Sequence, residues 1–282
     1  MNFTVVDFET ANPNFASICQ VGVVVFQDGK VVDGFDSLVN PEDYFCPMNV
    51  DIHGIDEDAV ASAPNFPQIY ESIVRLLTRQ TVVCHTSFDM VALRRVSEKY
   101  KLVPIECAWL DSARVVRRTW HQFARKGYGL GNVTTALGIE FKHHDAKEDA
   151  RAAGEVLLRA ITESGIKLEE WVSRVKKPIF PVVKGQVNLD GHLVGEVLVF
   201  TGALSIPRGE ASVIAANAGC TVTANVTLET TLLVVGDQDI SRLVGYEKSS
   251  KHRRAEALMA KGQRLRIIGE SDFIELLKVS AL

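Results

Sequence analysis

The sequence predicts an α/β protein made of two separate units, and two observations lead to this prediction. In residues 1–165, strand-like runs come first and are followed by alternating helical and strand-like runs, which favours a mixed sheet covered by helices. In residues 188–282, strands and helices alternate from the start, which favours a small parallel sheet. Two prolines and a basic run interrupt both periodicities between these regions, so residues 166–187 are predicted to be a linker.

The first unit is predicted to open with an antiparallel meander. VVDFET is the first strand, and the next two strands are joined at Asp28-Gly29, a dipeptide that favours a type I′ hairpin turn. Further on, Ser87 is predicted to cap a helix because it directly precedes an apolar stripe with helical spacing. The remaining predicted segments are the helix PNFPQIYESIVRLLTR, the buried strand TVVCH, the helix SFDMVALRRVSEKYK and the helix DAKEDARAAGEVLLRAI.

Composition is typical of a globular protein from a reducing compartment. The chain has 282 residues, of which 46% are hydrophobic and 23% are charged, enough to build a full core. Its five cysteines form no C-x-x-C pair, which fits neither a disulfide framework nor a zinc site. The sequence opens without a basic leader, and no apolar run approaches the roughly 18 residues of a membrane span. We therefore expect a cytoplasmic protein without a membrane partner.

The net charge of −4 hides an asymmetry along the chain. Residues 1–165 carry 16 lysines and arginines against 22 acidic residues, whereas residues 166–282 carry 15 against 13. The acidic balance of the first part does not exclude a nuclease, because metal-binding carboxylates are part of the count and bound cations would invert the local field.

Four acidic residues fall where the predicted elements meet the core. Side chains alternate along a strand, so Asp7 and Glu9 share one face, where either arginines or a metal ion would have to balance their charge. Asp149 falls on the apolar stripe of the last helix, where a carboxylate belongs only if it is paired. Asp89 lies in the first turn of its helix, just after the strand TVVCH. We therefore expect these acids to converge on one sheet.

His144 is the candidate general base. It lies five residues before Asp149, or about 500° of helical rotation, so it cannot share that residue's face and is expected in the preceding loop. From there it can turn toward the acids and deprotonate a water molecule. His143 is either a solvated neighbour or a competitor for this role, whereas His53 and His85 are expected to be structural, hydrogen-bonded histidines.

Carboxylates clustered on rigid elements, with no matching stripe of arginines, are typical of a site for hard divalent cations such as Mg²⁺ or Mn²⁺. Two such cations roughly 3.5–4 Å apart stabilise both the attacking and the leaving oxygen of a phosphoryl displacement. The pattern therefore indicates hydrolysis of a phosphodiester with two divalent cations as cofactors.

Three short motifs extend this prediction. The D-x-E of Asp7 and Glu9, the SFD that ends at Asp89, and the H-x-A-x-x-D from His144 to Asp149 resemble the motifs of the DEDDh 3′→5′ exonucleases. The resemblance covers about residues 2–163 and is strongest to the proofreading epsilon subunits of bacterial DNA polymerase III. It implies a ribonuclease H-like fold with a mixed sheet for the exonuclease unit.

The resemblance also implies a role for each of these residues. Asp7 would bridge two metal ions, and Glu9 and Asp149 would complete the first metal site. Asp89 would serve the second site, through a water molecule, and His144 would be the general base.

Two segments bear on the substrate. The resemblance implies that Thr10 and the adjoining loop meet the 3′-terminal nucleotide. The stretch His85-Thr86-Ser87-Phe88-Asp89 is one residue shorter than the usual family pattern and lacks its asparagine. The substrate contacts made there are therefore expected to differ from those of the family, whereas the metal ligands are retained.

The second unit has predicted strands at GEVLVF, CTVTANV and TLLVVG and predicted helices at EASVIAANAG, SKHRRAEALMAKG and SDFIELL. Their order resembles that of a BRCT domain, of the type appended to bacterial NAD-dependent DNA ligases, with Phe273 where many members carry tryptophan. The resemblance implies that Thr201, Gly202 and Lys251 capture a phosphate, with Arg208 as a further contact, on a DNA 5′ end or a phosphoprotein. The alternative is that the Thr-Gly pair only forms a turn and that the KHRR run is only a solvated helix face.

Together these features predict a metal-dependent 3′→5′ exonuclease joined to a BRCT domain, acting on single-stranded or frayed DNA 3′ ends in replication proofreading or DNA repair. An RNA-trimming exonuclease is the alternative among enzymes, because the same carboxylates cleave both backbones. A non-catalytic BRCT adaptor is the alternative from another class. A polymerase or a sliding clamp is an expected partner, and Gln186-Val187-Asn188-Leu189 resembles clamp-binding peptides without their final aromatic residue.

Overall fold

The computed structural model describes four stretches of the chain: residues 1–124, 127–176, 187–236 and 249–278. The chain divides into two compact units, Met1–Lys177 and Pro178–Leu282. Gln186, the first residue of the predicted clamp-binding segment, lies outside the described residues. Within the described stretches, no helix combines the length and the apolar character that a membrane crossing requires.

The first unit is built on a five-stranded mixed sheet. Its strands are β1 (Asn2–Thr10), β2 (Ile18–Gln27), β3 (Lys30–Leu38), β4 (Thr81–Cys84) and β5 (Ala108–Asp111). The strand order is β3-β2-β1-β4-β5, with β1 to β3 antiparallel and β4 and β5 parallel to β1. The predicted meander and the predicted mixed sheet are therefore confirmed. The sequence did not predict β5, because four residues without clear alternation carry no strand signal.

Helices cover this sheet, and the long helix Ala146–Ser164 contacts its three central strands. The helices are α1 (Pro47–His53), α2 (Glu57–Val60), α3 (Phe66–Leu77), α4 (Phe88–Tyr100), α5 (Ser112–Thr119), α6 (Leu130–Leu137), α7 (Ala146–Ser164) and α8 (Leu168–Arg174), with a 3₁₀ turn at His121–Phe123. The predicted helices correspond to α3, α4 and α7.

Helix α8 lies in the stretch that the sequence predicts to be a linker. Leu168, Trp171 and Val175 belong to the apolar core of the first unit, and Trp171 is only 1% exposed. The structure therefore corrects the predicted start of the linker at residue 166. The prolines that interrupt the periodicity come after this helix, and its seven residues are too few to give a strong periodic signal of their own.

Helix α7 packs against β2 at very close range. A Cβ on Gly22 would come within 2.2 Å of the carbonyl carbon of Ala146. Two turns further along, the glycine lies on the helix and the bulky partner on the strand. A Cβ on Gly154 would come within 2.2 Å of the ring of Phe26. Each glycine thus omits a side chain that would hold the helix away from the sheet. Since Gly22 pairs with Asp7 across the sheet, the contact also brings the start of α7 beside Asp7.

We predict that Gly22→Ala destabilises the first unit by roughly 1–3 kcal/mol, because its methyl group would overlap helix backbone. Gly154→Ala should destabilise it as well, because its methyl group would overlap the buried ring of Phe26. All three tryptophans lie in the first unit, so urea unfolding followed by tryptophan fluorescence reports on that unit. Val32→Ala, at a side chain 54% exposed on β3, is the control. An unchanged unfolding midpoint for Gly22→Ala would contradict the close packing.

The second unit is a parallel four-stranded sheet with the order β7-β6-β8-β9, as the sequence predicts for its fold class. Phe273 is buried against Phe200, with ring centroids 5.6 Å apart, so an aromatic ring packs in the core at this position. The elements of this unit are β6 (Val197–Thr201), α9 (Arg208–Asn217), β7 (Thr221–Val222), β8 (Leu232–Val235), α10 (Ser250–Met259), β9 (Arg266–Gly269) and α11 (Glu270–Lys278).

Candidate active site

Strand β1 carries Asp7 and Glu9 on one face. The other face is apolar: Val6 is 1% exposed and Phe8 is 8% exposed, whereas both acids are partly exposed. The alternation predicted for this strand is therefore confirmed. The pairing with β2 shifts register between Glu9 and Thr10, so the regular ladder ends directly after the second acid.

Helix α7 supplies a third carboxylate. Asp149 lies in its first turn and is 4% exposed, and its Oδ2 accepts a hydrogen bond from the backbone N–H of Asp145 at 3.1 Å. The side chain of Asp145 caps the helix by accepting from the N–H of Glu148. One carboxylate oxygen from each of Asp7, Glu9 and Asp149 lies within 4.8 Å of the other two.

Three carboxylates at this distance repel one another, and their partial burial increases the free-energy cost of keeping them ionised. A divalent cation offsets that repulsion, and carboxylate oxygens are the ligands that Mg²⁺ and Mn²⁺ prefer. The donor set of Asp7, Glu9 and Asp149 therefore fits the predicted cations.

Asp89 lies beside this group of three. It is 7% exposed in the first turn of α4, and its Oδ1 accepts a hydrogen bond from the backbone N–H of Phe8 at 3.2 Å. Phe8 separates Asp7 from Glu9 along β1, so the bond ties the start of α4 to the acidic strand. The structure thus brings Asp89 to this strand, although its carboxylate is not one of the three convergent ones among the described residues.

Ser87 does not cap α4, contrary to the prediction. Its φ of −84° and ψ of 0° are already helical and its side chain makes no capping hydrogen bond, whereas a capping residue normally has an extended backbone. The cause lies one residue earlier. Thr86 has a φ of +83°, which is rare for a β-branched residue, and its N–H donates to Oδ1 of Asp111 at 3.1 Å.

Two adjacent histidines face the carboxylates. His144 lies in the loop before α7, as predicted, with its Nδ1 3.9 Å from Oε1 of Glu9. Nδ1 of His143 lies 2.9 Å from Oδ1 of Asp149. The sequence left His143 as a solvated neighbour or a competing base, but the structure gives it a direct contact with Asp149. No periodic pattern marks a loop residue for such a contact, so its sequence position beside His144 was the only signal.

The backbone just beyond Glu9 is held by α1. Nδ2 of Asn49 donates to the carbonyl oxygen of Thr10 at 2.8 Å. Nε2 of His53 lies 3.2 Å from the same oxygen, and Nδ1 of His53 accepts the N–H of Ile55 at 3.0 Å, so the ring proton sits on Nε2. Burial lowers the pKa of His53, which favours this neutral form. His53 is thus structural, as expected, whereas the sequence did not single out Asn49.

His85 also has a structural role. Its ring is buried, with Nδ1 2.8 Å from Oγ of Ser112 and Nε2 2.8 Å from the carbonyl oxygen of Tyr128. Because a carbonyl oxygen only accepts, Nε2 carries the ring proton. Both ring nitrogens are therefore engaged in joining β4 to the segments that follow it, as the sequence predicts for a hydrogen-bonded structural histidine.

Three convergent carboxylates that fit divalent cations, with an imidazole beside them, are typical of metal-dependent enzymes that hydrolyse phosphate esters. The family follows from a further comparison: the RNase_T family model, described as exonuclease, matches residues 4–157. Because this match covers more than half of the chain, the protein belongs to the exonuclease family. The class of enzyme predicted from the sequence is therefore confirmed.

The chain is similar in sequence to PolC-type DNA polymerase III from several bacteria. The protein of Thermotoga petrophila is 28% identical over 163 residues, which cover 56% of this chain and 12% of that protein. The protein of Caldanaerobacter subterraneus subsp. tengcongensis is 28% identical over 206 residues, which cover 66% of this chain and 14% of that protein. The chain therefore spans only a small part of the length of these relatives.

Solved structures support the fold of the first unit. Exonuclease X in complex with 5′ overhanging duplex DNA superposes with a TM-score of 0.51 at 22% identity, over 61% of this chain and 98% of that one. Exonuclease I, from an SSB/Exonuclease I structure with an inhibitor, gives 0.52 at 17% identity, over 62% and 43%. These similarities agree with the mixed sheet of a ribonuclease H-like exonuclease.

In the second unit, the two cations predicted to contact a phosphate lie together. Nζ of Lys251 and Nη1 of Arg208 donate to the same carbonyl oxygen, that of Phe200, at 3.0 and 2.9 Å. Nη2 of Arg208 donates to the carbonyl oxygen of Gly202 at 2.9 Å. Partial burial and the nearby Arg208 lower the pKa of Lys251, because both disfavour a second positive charge there.

The hydroxyl groups of this cluster lie on facing elements. Oγ1 of Thr201, at the end of β6, lies 2.9 Å from Oγ of Ser249. Oγ of Ser249 also accepts the backbone N–H of His252 at 3.1 Å and so caps α10. Arg208 and Lys251 thus share the carbonyl oxygen of Phe200, Arg208 also binds Gly202 directly, and Thr201 contacts Ser249, the residue that caps α10.

We predict that Mn²⁺ raises the melting temperature of the first unit and that Asp7→Asn removes this rise. A ligand at about 100 times its Kd stabilises the folded state by about 2.7 kcal/mol. In EDTA the substitution should leave the unit at least as stable as the wild type, because it removes one of three repelling charges. Melting followed by tryptophan fluorescence, with and without Mn²⁺, measures both effects.

Asp58→Asn, which changes an exposed acid on α2, is the matched control and should respond to Mn²⁺ like the wild type. An Asp7→Asn protein that is less stable in EDTA yet keeps its full response to Mn²⁺ would show that this carboxylate supports the fold instead of binding metal.

Proposed function

We propose that the chain is a metal-dependent 3′→5′ exonuclease that hydrolyses DNA phosphodiesters from the 3′ end. The observation that carries the proposal is the convergence of Asp7, Glu9 and Asp149, with Nδ1 of His144 3.9 Å from Glu9. Hydrolysis of a phosphodiester needs hard cations to balance charge and a base to take a proton from water, and this arrangement offers residues for both.

Each residue has a distinct role in this proposal. Asp7, Glu9 and Asp149 would hold one Mg²⁺ or Mn²⁺ ion, and Asp7 and Asp89 would hold a second, the latter through water. When bound, these ions balance the charge that develops on the phosphate and lower the pKa of the attacking water. His144 takes the proton from that water, because its position in a loop lets the ring reach the carboxylates without displacing the core.

Thr10 is proposed to contact the 3′-terminal nucleotide. It directly follows Glu9, and its carbonyl oxygen is held by Asn49 and His53. Because the backbone of Thr10 is fixed in this way, a 3′-terminal nucleotide bound to it would lie at a constant distance from the carboxylates, which favours reaction. A chain end seated at Thr10 would lose one nucleotide at a time.

DNA is proposed as the substrate because the sequence similarity is to PolC-type DNA polymerase III, at 28% identity over 163 residues. We further propose a role in replication proofreading or DNA repair, with a polymerase or a sliding clamp as partner. An exoribonuclease is the second candidate, since the same carboxylates would cleave RNA and only contacts to the 2′-hydroxyl separate the two.

We also propose that the second unit is a BRCT domain that binds a phosphate, on a DNA 5′ end or a phosphoprotein. Support comes from Arg208 and Lys251, two cations that share the carbonyl oxygen of Phe200, and from the hydroxyl of Thr201 beside Ser249. An anion bound there would offset the repulsion between the two cations.

The first test is the polarity of cleavage on single-stranded DNA labelled at either end. With Mn²⁺ we expect the 3′ label to be released first and the 5′-labelled strand to shorten stepwise. EDTA and Asp7→Asn should abolish cleavage, and His144→Ala should slow it by about 10²–10⁴-fold. Asp58→Asn and His121→Ala, both at exposed positions, are the controls.

Three outcomes would contradict parts of the proposal. Earlier release of the 5′ label would overturn the polarity. Cleavage of a matched RNA but not of the DNA would favour the exoribonuclease. Cleavage of neither strand by the wild type would favour the non-catalytic adaptor.

For the second unit, we predict that Lys251→Met weakens binding to a 5′-phosphorylated DNA more than to the same DNA with a 5′-hydroxyl. The reason is that one cation facing the phosphate is lost. Fluorescence anisotropy with both oligonucleotides, in the catalytically inactive Asp7→Asn background, measures the difference. Lys261→Met, at an exposed lysine after α10, is the control. Equal losses for both DNAs would contradict a phosphate site.

A further inference from the structure

We infer that His143 is a positioning residue that orients the carboxylate of Asp149 for metal binding and sets the ring plane of His144. This inference rests on the proposed function of the site. It assigns separate tasks to two adjacent histidines: His143 acts through its neighbours, whereas His144 acts on the attacking water.

The first part of the argument is the contact with Asp149. Nδ1 of His143 lies 2.9 Å from Oδ1 of Asp149, and the backbone N–H of His144 is directed at the same ring nitrogen from 3.1 Å. One ring nitrogen cannot donate and accept at once, and a lone pair held 2.9 Å from a carboxylate oxygen would be repelled. Nδ1 of His143 therefore carries a proton and donates it to Asp149.

The effect of this bond is to orient a carboxylate that is 4% exposed. Oδ1 of Asp149 receives the imidazole N–H, and Oδ2 receives the N–H of Asp145 at 3.1 Å. Each carboxylate oxygen has a further lone pair for a cation. Hydrogen bonds to a metal-ligating carboxylate fix its direction, and their loss typically lowers metal affinity by about 10–100-fold.

The second part of the argument is the backbone. Successive side chains of an extended chain point to opposite sides, so two adjacent histidines would not normally face one site. His144 has a φ of +65°, a left-handed conformation that residues other than glycine seldom adopt. The two rings consequently stack, with centroids 3.9 Å apart and planes within 9°. The ring of His143, held by Asp149, thereby sets the plane in which His144 lies.

Two substitutions separate these two tasks. His143→Phe keeps a ring that stacks on His144 but removes the donor to Asp149. His143→Asn keeps an N–H donor close to the position of Nδ1 but removes the ring. His121→Phe, at an exposed histidine elsewhere in the first unit, is the matched control.

The experiment measures Mn²⁺ affinity by electron paramagnetic resonance without substrate, and the rate of DNA cleavage at saturating Mn²⁺. We expect His143→Phe to bind Mn²⁺ about 10–100-fold more weakly, and to keep more of the wild-type cleavage rate at saturating Mn²⁺ than His143→Asn does, because its ring still stacks on His144. We expect His143→Asn to bind Mn²⁺ within about threefold of the wild type but to cleave more slowly, because the ring of His144 loses its support.

Wild-type Mn²⁺ affinity in a folded His143→Phe protein would overturn the role in orienting Asp149. A wild-type cleavage rate in His143→Asn would overturn the role in orienting His144. Both outcomes leave the proposed nuclease function standing, because the wild type still binds Mn²⁺ and cleaves. A wild type that neither binds Mn²⁺ nor cleaves would instead overturn the proposed function and this inference together.

Discussion

The candidate site depends on how closely α7 approaches the sheet. Gly22 lies opposite Asp7 in the sheet, and its missing side chain lets the backbone of Ala146 occupy the space where a Cβ would stand. A helix lifted by the thickness of one methyl group would carry Asp149 away from Asp7 and Glu9, whose carboxylate oxygens now lie within 4.8 Å of its own. The helix also presents its positive N-terminal end to these acids, which favours negative charge there.

The short distances between the three carboxylates also cause electrostatic repulsion, which neighbouring hydrogen-bond donors partly offset. Ionised carboxylates at this separation oppose folding, and the surrounding residues offset part of that cost with hydrogen-bond donors. Backbone N–H groups from Phe8 and Asp145 reach Asp89 and Asp149, and His143 donates a ring proton to Asp149. These donors orient the acids in one geometry, so a cation would meet ligands that are already positioned. Stability and metal binding are therefore linked through the same few bonds.

Sequence patterns predicted the elements that carry the acids, because both strand alternation and the helical stripe mark a carboxylate that faces the core, as at Asp7 and Asp149. The sequence patterns did not predict contacts that depend on the backbone conformation of a loop. Ser87 does not cap its helix because Thr86 takes a left-handed backbone, held by Asp111, that no spacing reveals. The contact of His143 with Asp149 likewise depends on a left-handed residue in a loop. Short elements such as β5 and α8 gave too few residues for a period to show.

The most direct test of the account is anomalous diffraction from a crystal of the protein grown with Mn²⁺. The account requires a manganese peak bound by oxygen atoms of Asp7, Glu9 and Asp149, with the imidazole of His143 still within hydrogen-bond distance of Asp149. A protein that crystallises with Mn²⁺ bound elsewhere, or with these three carboxylates turned away from one another and joined to arginine or lysine side chains, would contradict it.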